Sequence, residues 1–89
     1  MSFTMFYIYT LISEKDHKFY TGYTTDLKKR VTRHQLGLVI ATRNRRPLKL
    51  LYYEAFYNRK DAKMREKYLK SGHGRNQLRE ILKNSLKNA

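Results

Sequence analysis

Between Met5 and Ile12 the sequence reads M-F-Y-I-Y-T-L-I, eight residues that are almost all aromatic, β-branched or long and apolar. Such side chains fit a pleated surface, and the run predicts a strand. Alternation puts Phe6, Ile8, Thr10 and Ile12 on one face and Met5, Tyr7, Tyr9 and Leu11 on the other. The polar run Ser13 to His17 is a turn, and Lys18 to Tyr23 is a second strand, so the two form an antiparallel hairpin. With Ile12 near Lys18 across that turn, Tyr9 falls near Thr21, beside Tyr20 and Gly22.

The rest of the chain reads as helix, strand, helix, helix. Thr25 followed by Asp26 opens the first helix, a hydroxyl cap with an acid in the first turn. Leu27, Val31, His34 and Leu38 form its apolar stripe, Gly37 stops it, and Arg30 and His34 are neighbours four residues apart. Val39 to Pro47 is a basic connector carrying Arg43, Arg45 and Arg46, and Leu48 to Tyr57 is a third strand. Asn58 with Asp61 opens a second helix that runs to about Lys70. Ser71-Gly72-His73-Gly74 breaks it, and Arg75 to about Asn88 is a last helix with Leu78, Ile81, Leu82 and Leu86 on one side. The order β-β-α-β-α-α predicts an α+β fold, a small antiparallel sheet packed by helices. At 89 residues and 40% hydrophobic, the chain fills one core and not two, so residues 1–89 are expected to be one domain.

Twenty Lys and Arg against seven Asp and Glu leave a net charge of +13. On so short a chain that points to a nucleic-acid partner. The eight tyrosines disfavour a disordered basic tail, and they supply faces for base stacking and phenols for proton chemistry. The absence of Cys excludes a disulfide scaffold and a Cys-based zinc site, and His17, His34 and His73 are not spaced as a metal triad. No apolar run approaches the roughly 20 residues that span a bilayer. No secretory signal pattern opens the sequence, so a cytoplasmic protein without a membrane role is expected.

Of the seven acids, Glu14 and Asp16 fall in a turn, Asp26 and Asp61 at helix starts, and Glu80 on a polar helix face. That leaves Glu54 and Glu66, too few for a site that gathers several carboxylates around two metals. If the protein hydrolyses phosphodiesters, one divalent ion on one carboxylate is the economical arrangement, and Mg²⁺ suits it because it keeps several waters. Glu66 falls beside Ala62 and Leu69, on the inward side of its helix. Two readings stand for it: a metal ligand, or a rim carboxylate paired with Lys63 or Lys70. Arg30 could grip a phosphate with its planar fork or be one more solvated cation. His34 could relay a proton or pack in the core. Tyr9 and Tyr20 could meet across the hairpin, where one could take a proton from water with a cation's help, or each could simply pack.

Taken together, these residues resemble the GIY-YIG nuclease superfamily. Its first motif matches Tyr7-Ile8-Tyr9, with Tyr7 standing where the family has Gly, and its second matches Tyr20-Thr21-Gly22. The stretch Thr24-Thr25-Asp26-Leu27 through Arg30 to His34 has the family's spacing, with Arg30 ten residues after Tyr20. The strand Leu50 to Glu54 and the segment Ala62 to Lys70, with Arg65-Glu66-Lys67, complete a likeness running from Phe6 to about Leu82. The branch it resembles is that of small single-domain bacterial proteins similar to the nuclease half of the bacterial repair excinuclease and to junction-cleaving nucleases.

That resemblance implies a three-stranded antiparallel sheet with flanking helices and cleavage of DNA that depends on one Mg²⁺ or Mn²⁺ ion. Carried over by motif, Glu66 is the metal ligand, Arg30 stabilises the phosphate, Tyr9 is the general base or water-positioning group, and Tyr20 and His34 line the same site. Gly22 is expected to keep the strand bare where substrate approaches. Tyr23, Lys28, Arg43, Arg45, Arg46, Lys70 and Asn76 are the further substrate-binding candidates. DNA in branched, flapped or single-stranded form is the expected partner, RNA stays open, and a monomer is the default. The rival reading is a nucleic-acid-binding module of the same fold without useful catalysis.

Overall fold

The computed structural model describes residues 4–87, and the expected helix end at Asn88 lies outside them. Strands β1 (Phe6–Ser13), β2 (Phe19–Thr24) and β3 (Leu48–Phe56) form one antiparallel sheet in the order β2-β1-β3. Helices α1 (Leu27–Gln35), α2 (Arg59–Lys70), α3 (Gly72–Ile81) and α4 (Lys83–Lys87) complete the α+β architecture expected from the sequence. The strand richest in aromatic and β-branched residues is thus the central one, covered on both faces. Ile8, Ala62, Leu69, Leu78 and Leu82 form the cluster beneath α2 and α3. Tyr9, Leu11 and Leu48, joined by Tyr20, Leu27 and Val31, form the cluster beneath α1.

The hairpin register differs from the expectation by one residue. Ile12 pairs with Phe19 and Tyr9 with Gly22, not Thr21. The reason lies in the turn. Ser13 N–H donates to the Lys18 carbonyl at 3.1 Å, so residues 14–17 all sit in the loop, and His17 takes a left-handed φ of 59° to close it. A second irregularity lies between β1 and β3, where Thr10 faces Tyr52 but Leu11 faces Leu50. Leu51 is the extra residue of a β-bulge, so Leu50 and Tyr53 share the α1 face although they are three apart.

Four helix details also differ. The cap of α1 is Asp26, whose carboxylate accepts from Lys29 N–H at 3.1 Å, while the Thr24 hydroxyl accepts from Asp26 N–H. Thr25 is exposed. Leu38 lies past the end of α1 and is 55% exposed, because Gly37, at φ 77°, turns the chain first. Ser71 to Gly74 does not form a gap between helices. Ser71 caps α3, its hydroxyl accepting from Gly74 N–H at 3.1 Å. A Cβ on Gly74 would stand 2.0 Å from the Tyr68 carbonyl oxygen, so the glycine is there to let α3 press against the end of α2. Ile81, expected on the inner side of α3, is exposed, whereas Leu78 and Leu82 are buried.

Candidate active site

Tyr9 is the centre of the α1 face. It points from β1 toward β2 and lies across Gly22, where an added Cβ would meet the phenol oxygen at 2.5 Å. Gly22 therefore makes room for Tyr9. The Tyr9 hydroxyl is 2.7 Å from His34 Nε2 and accepts from Arg30 Nε at 3.3 Å. Both partners project from one face of α1, as their four-residue spacing requires. His34 Nδ1 in turn lies 2.7 Å from the Thr42 hydroxyl. Tyr20, on β2, completes the cluster, its ring centroid 5.1 Å from that of His34 and 6.5 Å from that of Tyr9.

The electrostatics follow from this packing. Burial pushes the Tyr9 phenol above its ordinary pKa, against the hydrogen bond from Arg30, and the charge on Glu66 pushes the same way as burial. His34 has no exposed surface. Burial first, and the neighbouring Arg30 cation second, lower its pKa to about 4. Near neutral pH the cluster is therefore a neutral phenol and a neutral imidazole beside one guanidinium. No buried polar side-chain atom among the described residues lacks a partner. Arg30 is half-buried and also lines a shallow hollow of about 370 Å³ with Lys29 and Arg33, so the cation at the cluster opens onto a basic surface.

The two remaining carboxylates separate clearly. Glu54 is held by Arg65 through paired bonds of 2.9 and 3.0 Å, and it accepts from the Tyr52 hydroxyl. It is a structural ion pair. Glu66, 14% exposed, faces Lys70 Nζ at 3.0 Å and Lys63 Nζ at 3.4 Å. Both rim pairings are formed, while its charge still reaches Tyr9. Among the described residues no three His, Cys, Asp or Glu side chains gather into a ready-made metal cage. A single carboxylate is a donor that suits a hard cation which keeps most of its waters, and such an ion at Glu66 would displace the two half-exposed lysines now paired with it.

The other candidate positions scatter. Lys70 borders a hollow of about 280 Å³ with Tyr20 and Arg75, next to the cluster. Tyr23 lies on the opposite face, parallel to Phe6 with Lys63 4.4 Å above its ring. Arg45 is committed to Asp16 at 2.7 Å and to the carbonyls of Lys18 and Phe19, so it fastens the connector to the hairpin turn. That bond holds the Asp16 carboxyl well below the usual carboxylate range. Arg46 donates to the Arg43 carbonyl at 3.0 Å and lies over Gly37. Arg43 is exposed, and Lys28 lines a groove beside the cluster. Asn76 is exposed on α3, and no hydrogen bond among the described residues ties it to the cluster. Thr42 is a site residue that the sequence does not announce. A lone threonine in a basic connector carries no local signal that it will meet a histidine eight residues back.

Comparison with known proteins places this geometry in context. Residues 5–79 match the model of the GIY-YIG catalytic domain. The chain is 39% identical over 84 residues to a UPF0213 protein of Clostridium perfringens, covering 93% of this chain and 89% of that protein. It is 46% identical over 63 residues to a UPF0213 protein of Streptococcus pyogenes, covering 70% of this chain and 68% of the relative. A solution NMR structure of a UPF0213 protein from Bacillus halodurans superposes with a TM-score of 0.55 at 35% identity, covering 86% of this chain and 84% of that one.

Proposed function

The chain belongs to the GIY-YIG catalytic-domain family, and from that footing we propose that it is a divalent-metal-dependent DNA endonuclease acting on branched, flapped or single-stranded DNA in repair or recombination. The observation that carries this reading is the convergence of Tyr9, His34, Tyr20 and Arg30 at one buried point within electrostatic reach of Glu66.

The proton route follows from the hydrogen bonds. Arg30 can only donate, so it occupies one lone pair of the Tyr9 oxygen. The route uses the tautomer in which neutral His34 accepts from the Tyr9 hydroxyl at Nε2, 2.7 Å away, and donates from Nδ1–H to the Thr42 hydroxyl, also at 2.7 Å. This tautomer leaves the second lone pair of Tyr9 open for a proton from an attacking water. As that water attacks the phosphorus, Tyr9 takes its proton and passes its own to His34, which gives it up again because burial disfavours the imidazolium. The bond from phosphorus to the departing strand oxygen breaks, and that oxygen takes a proton from solvent. Arg30 neutralises charge growing on the phosphoryl oxygens. Glu66 would hold one Mg²⁺ or Mn²⁺, which when bound polarises a phosphate oxygen. Lys63 and Lys70, released from Glu66, would contact flanking phosphates, and the +13 surface adds affinity without sequence preference.

The test is nicking of single-stranded, flapped and junction DNA in Mg²⁺ or Mn²⁺. Wild type cleaves, whereas Glu66→Ala and Arg30→Ala do not. Equal products from all three discard the mechanism. Binding without metal and with no cleavage of any DNA form selects the binding-module reading instead.

A further inference from the structure

The α1 face of the sheet continues past Tyr9. Because Tyr9 leans over Gly22 toward β2, it leaves the β3 half of that face uncovered. The bulge at Leu51 then turns both Leu50 and Tyr53 into the gap. The result is a groove of about 640 Å³ between α1 and β3. Its floor is aromatic. Tyr53 is 52% exposed and stands edge-on to Tyr7, with centroids 6.2 Å apart and planes at 62°. Leu27 and Val31 of α1 form the wall, and Lys28 and Gln35 stand at the rim. Asp26 also lines it, but its carboxylate accepts from Lys29 N–H as the helix cap.

The position of the groove is as telling as its lining. Tyr53 pairs directly with Tyr9 across the ladder. Tyr7 is the next residue of β1 on the same face, about 6.7 Å along the strand. That is close to one nucleotide step of an extended single strand. A site with two phenol rings, an aliphatic wall, an amide and an ammonium suits a flat ligand with polar edges and an adjoining negative charge. A base seated there is covered by α1 and cannot remain paired.

We propose that this groove is a stacking subsite for one unpaired nucleobase of the DNA strand held at Arg30, with the Tyr53 ring as its platform and Lys28 on its phosphate. The proposal rests on the nucleic-acid reading above and deepens it. It gives single-stranded, flapped and junction DNA a structural advantage over intact duplex.

The experiment compares binding of a short oligothymidylate with that of an abasic deoxyribose-phosphate strand of equal length, in EDTA. The two probes carry the same backbone charge, so phosphate contacts cancel. Wild type prefers the oligothymidylate by about tenfold. Tyr53→Ala loses that preference, and Tyr53→Phe, which keeps the ring, retains it. Tyr53→Phe also shows that the edge strand tolerates substitution. A Tyr53→Ala protein that keeps the full preference overturns the subsite. So does a Tyr53-dependent dimer in sedimentation without DNA, which would make the groove a surface between copies. A parallel loss on oligouridylate supports stacking and shows that the sugar is not read. Base preference without cleavage in Mg²⁺ sinks the nuclease reading alone. Cleavage without a Tyr53-dependent preference sinks the subsite alone.

Discussion

The two faces of β1 are one residue apart in sequence and opposite in character. Ile8 faces a cluster of Ala62, Leu69, Leu78 and Leu82, all fully or nearly buried. Its neighbour Tyr9 faces a histidine, an arginine and, through the histidine, a threonine. The first face stabilises by removing apolar surface from water, a diffuse and additive effect. The second depends on a few polar groups whose partners must all be present, since an unpartnered buried group is costly. The contrast is local to these two residues, because Thr10 and Thr21 also bond on the Ile8 face and Leu11 and Leu48 pack on the Tyr9 face. The division predicts which substitutions remove activity and which remove the fold.

The largest separation is expected at Tyr9. Tyr9→Phe keeps the ring over Gly22 and removes only the oxygen that joins Arg30 to His34. Cleavage should fall by about 100-fold or more, while circular dichroism and DNA binding in EDTA stay near wild type. Full activity in this variant would place the proton route elsewhere.

The converse substitution is Leu69→Ala on the dry face. Leu69 has no exposed surface and lies against Ile8 and Leu78. The cavity should cost about 2–5 kcal/mol, read as a lower urea midpoint, with the cleavage rate of the protein still folded unchanged. Loss of activity at full stability would show that the two faces are coupled.

How far this division can be read from the sequence depends on the range of the interactions. The strands, the stop at Gly37 and the Asn58 cap are local, and the residues beside them announce them. Arg30 and His34 declare themselves as neighbours by spacing on one helix. The hairpin register departs by one residue because His17 adopts a left-handed conformation that a non-glycine residue rarely signals. Gly72 and Gly74 read as helix breakers because composition cannot show that the Gly74 hydrogen sits against the Tyr68 carbonyl. Thr42 and the Leu51 bulge are illegible for the same reason, since only tertiary contact gives either a role. The two Lys–Glu66 pairs are legible from i,i+3 and i,i+4 spacing.

A pH experiment sharpens the comparison. His34 has a folded pKa of about 4, against an unfolded value near 6.5. The unfolded chain therefore binds a proton in that window that the folded protein refuses. The stabilisation is complete above about pH 6.5 and is lost as pH falls toward 4. Between about pH 6.5 and 5, before the carboxylates titrate, wild type should lose about 1.5 kcal/mol. His34→Gln should be flat over the same range in urea titrations. An identical slope in both proteins would assign the acid sensitivity to another group.

The smaller effect on cleavage belongs to the residue with the least sequence signal. Thr42→Val keeps the shape of a fully buried side chain and removes the oxygen at His34 Nδ1. It should cost about 1–3 kcal/mol for the group left unpaired, without the cavity that makes a dry-face deletion expensive. The more specific consequence concerns the tautomer. With no acceptor at Nδ1, the imidazole no longer gains by keeping its proton there, and the proton moves to Nε2, where it blocks transfer from Tyr9. Nitrogen chemical shifts of His34 should report that exchange, and cleavage should fall about tenfold with DNA binding unchanged. A slower enzyme with the wild-type tautomer would mean that Thr42 positions the ring and does not select its protonation. The polar face would then share the packing logic of the dry one.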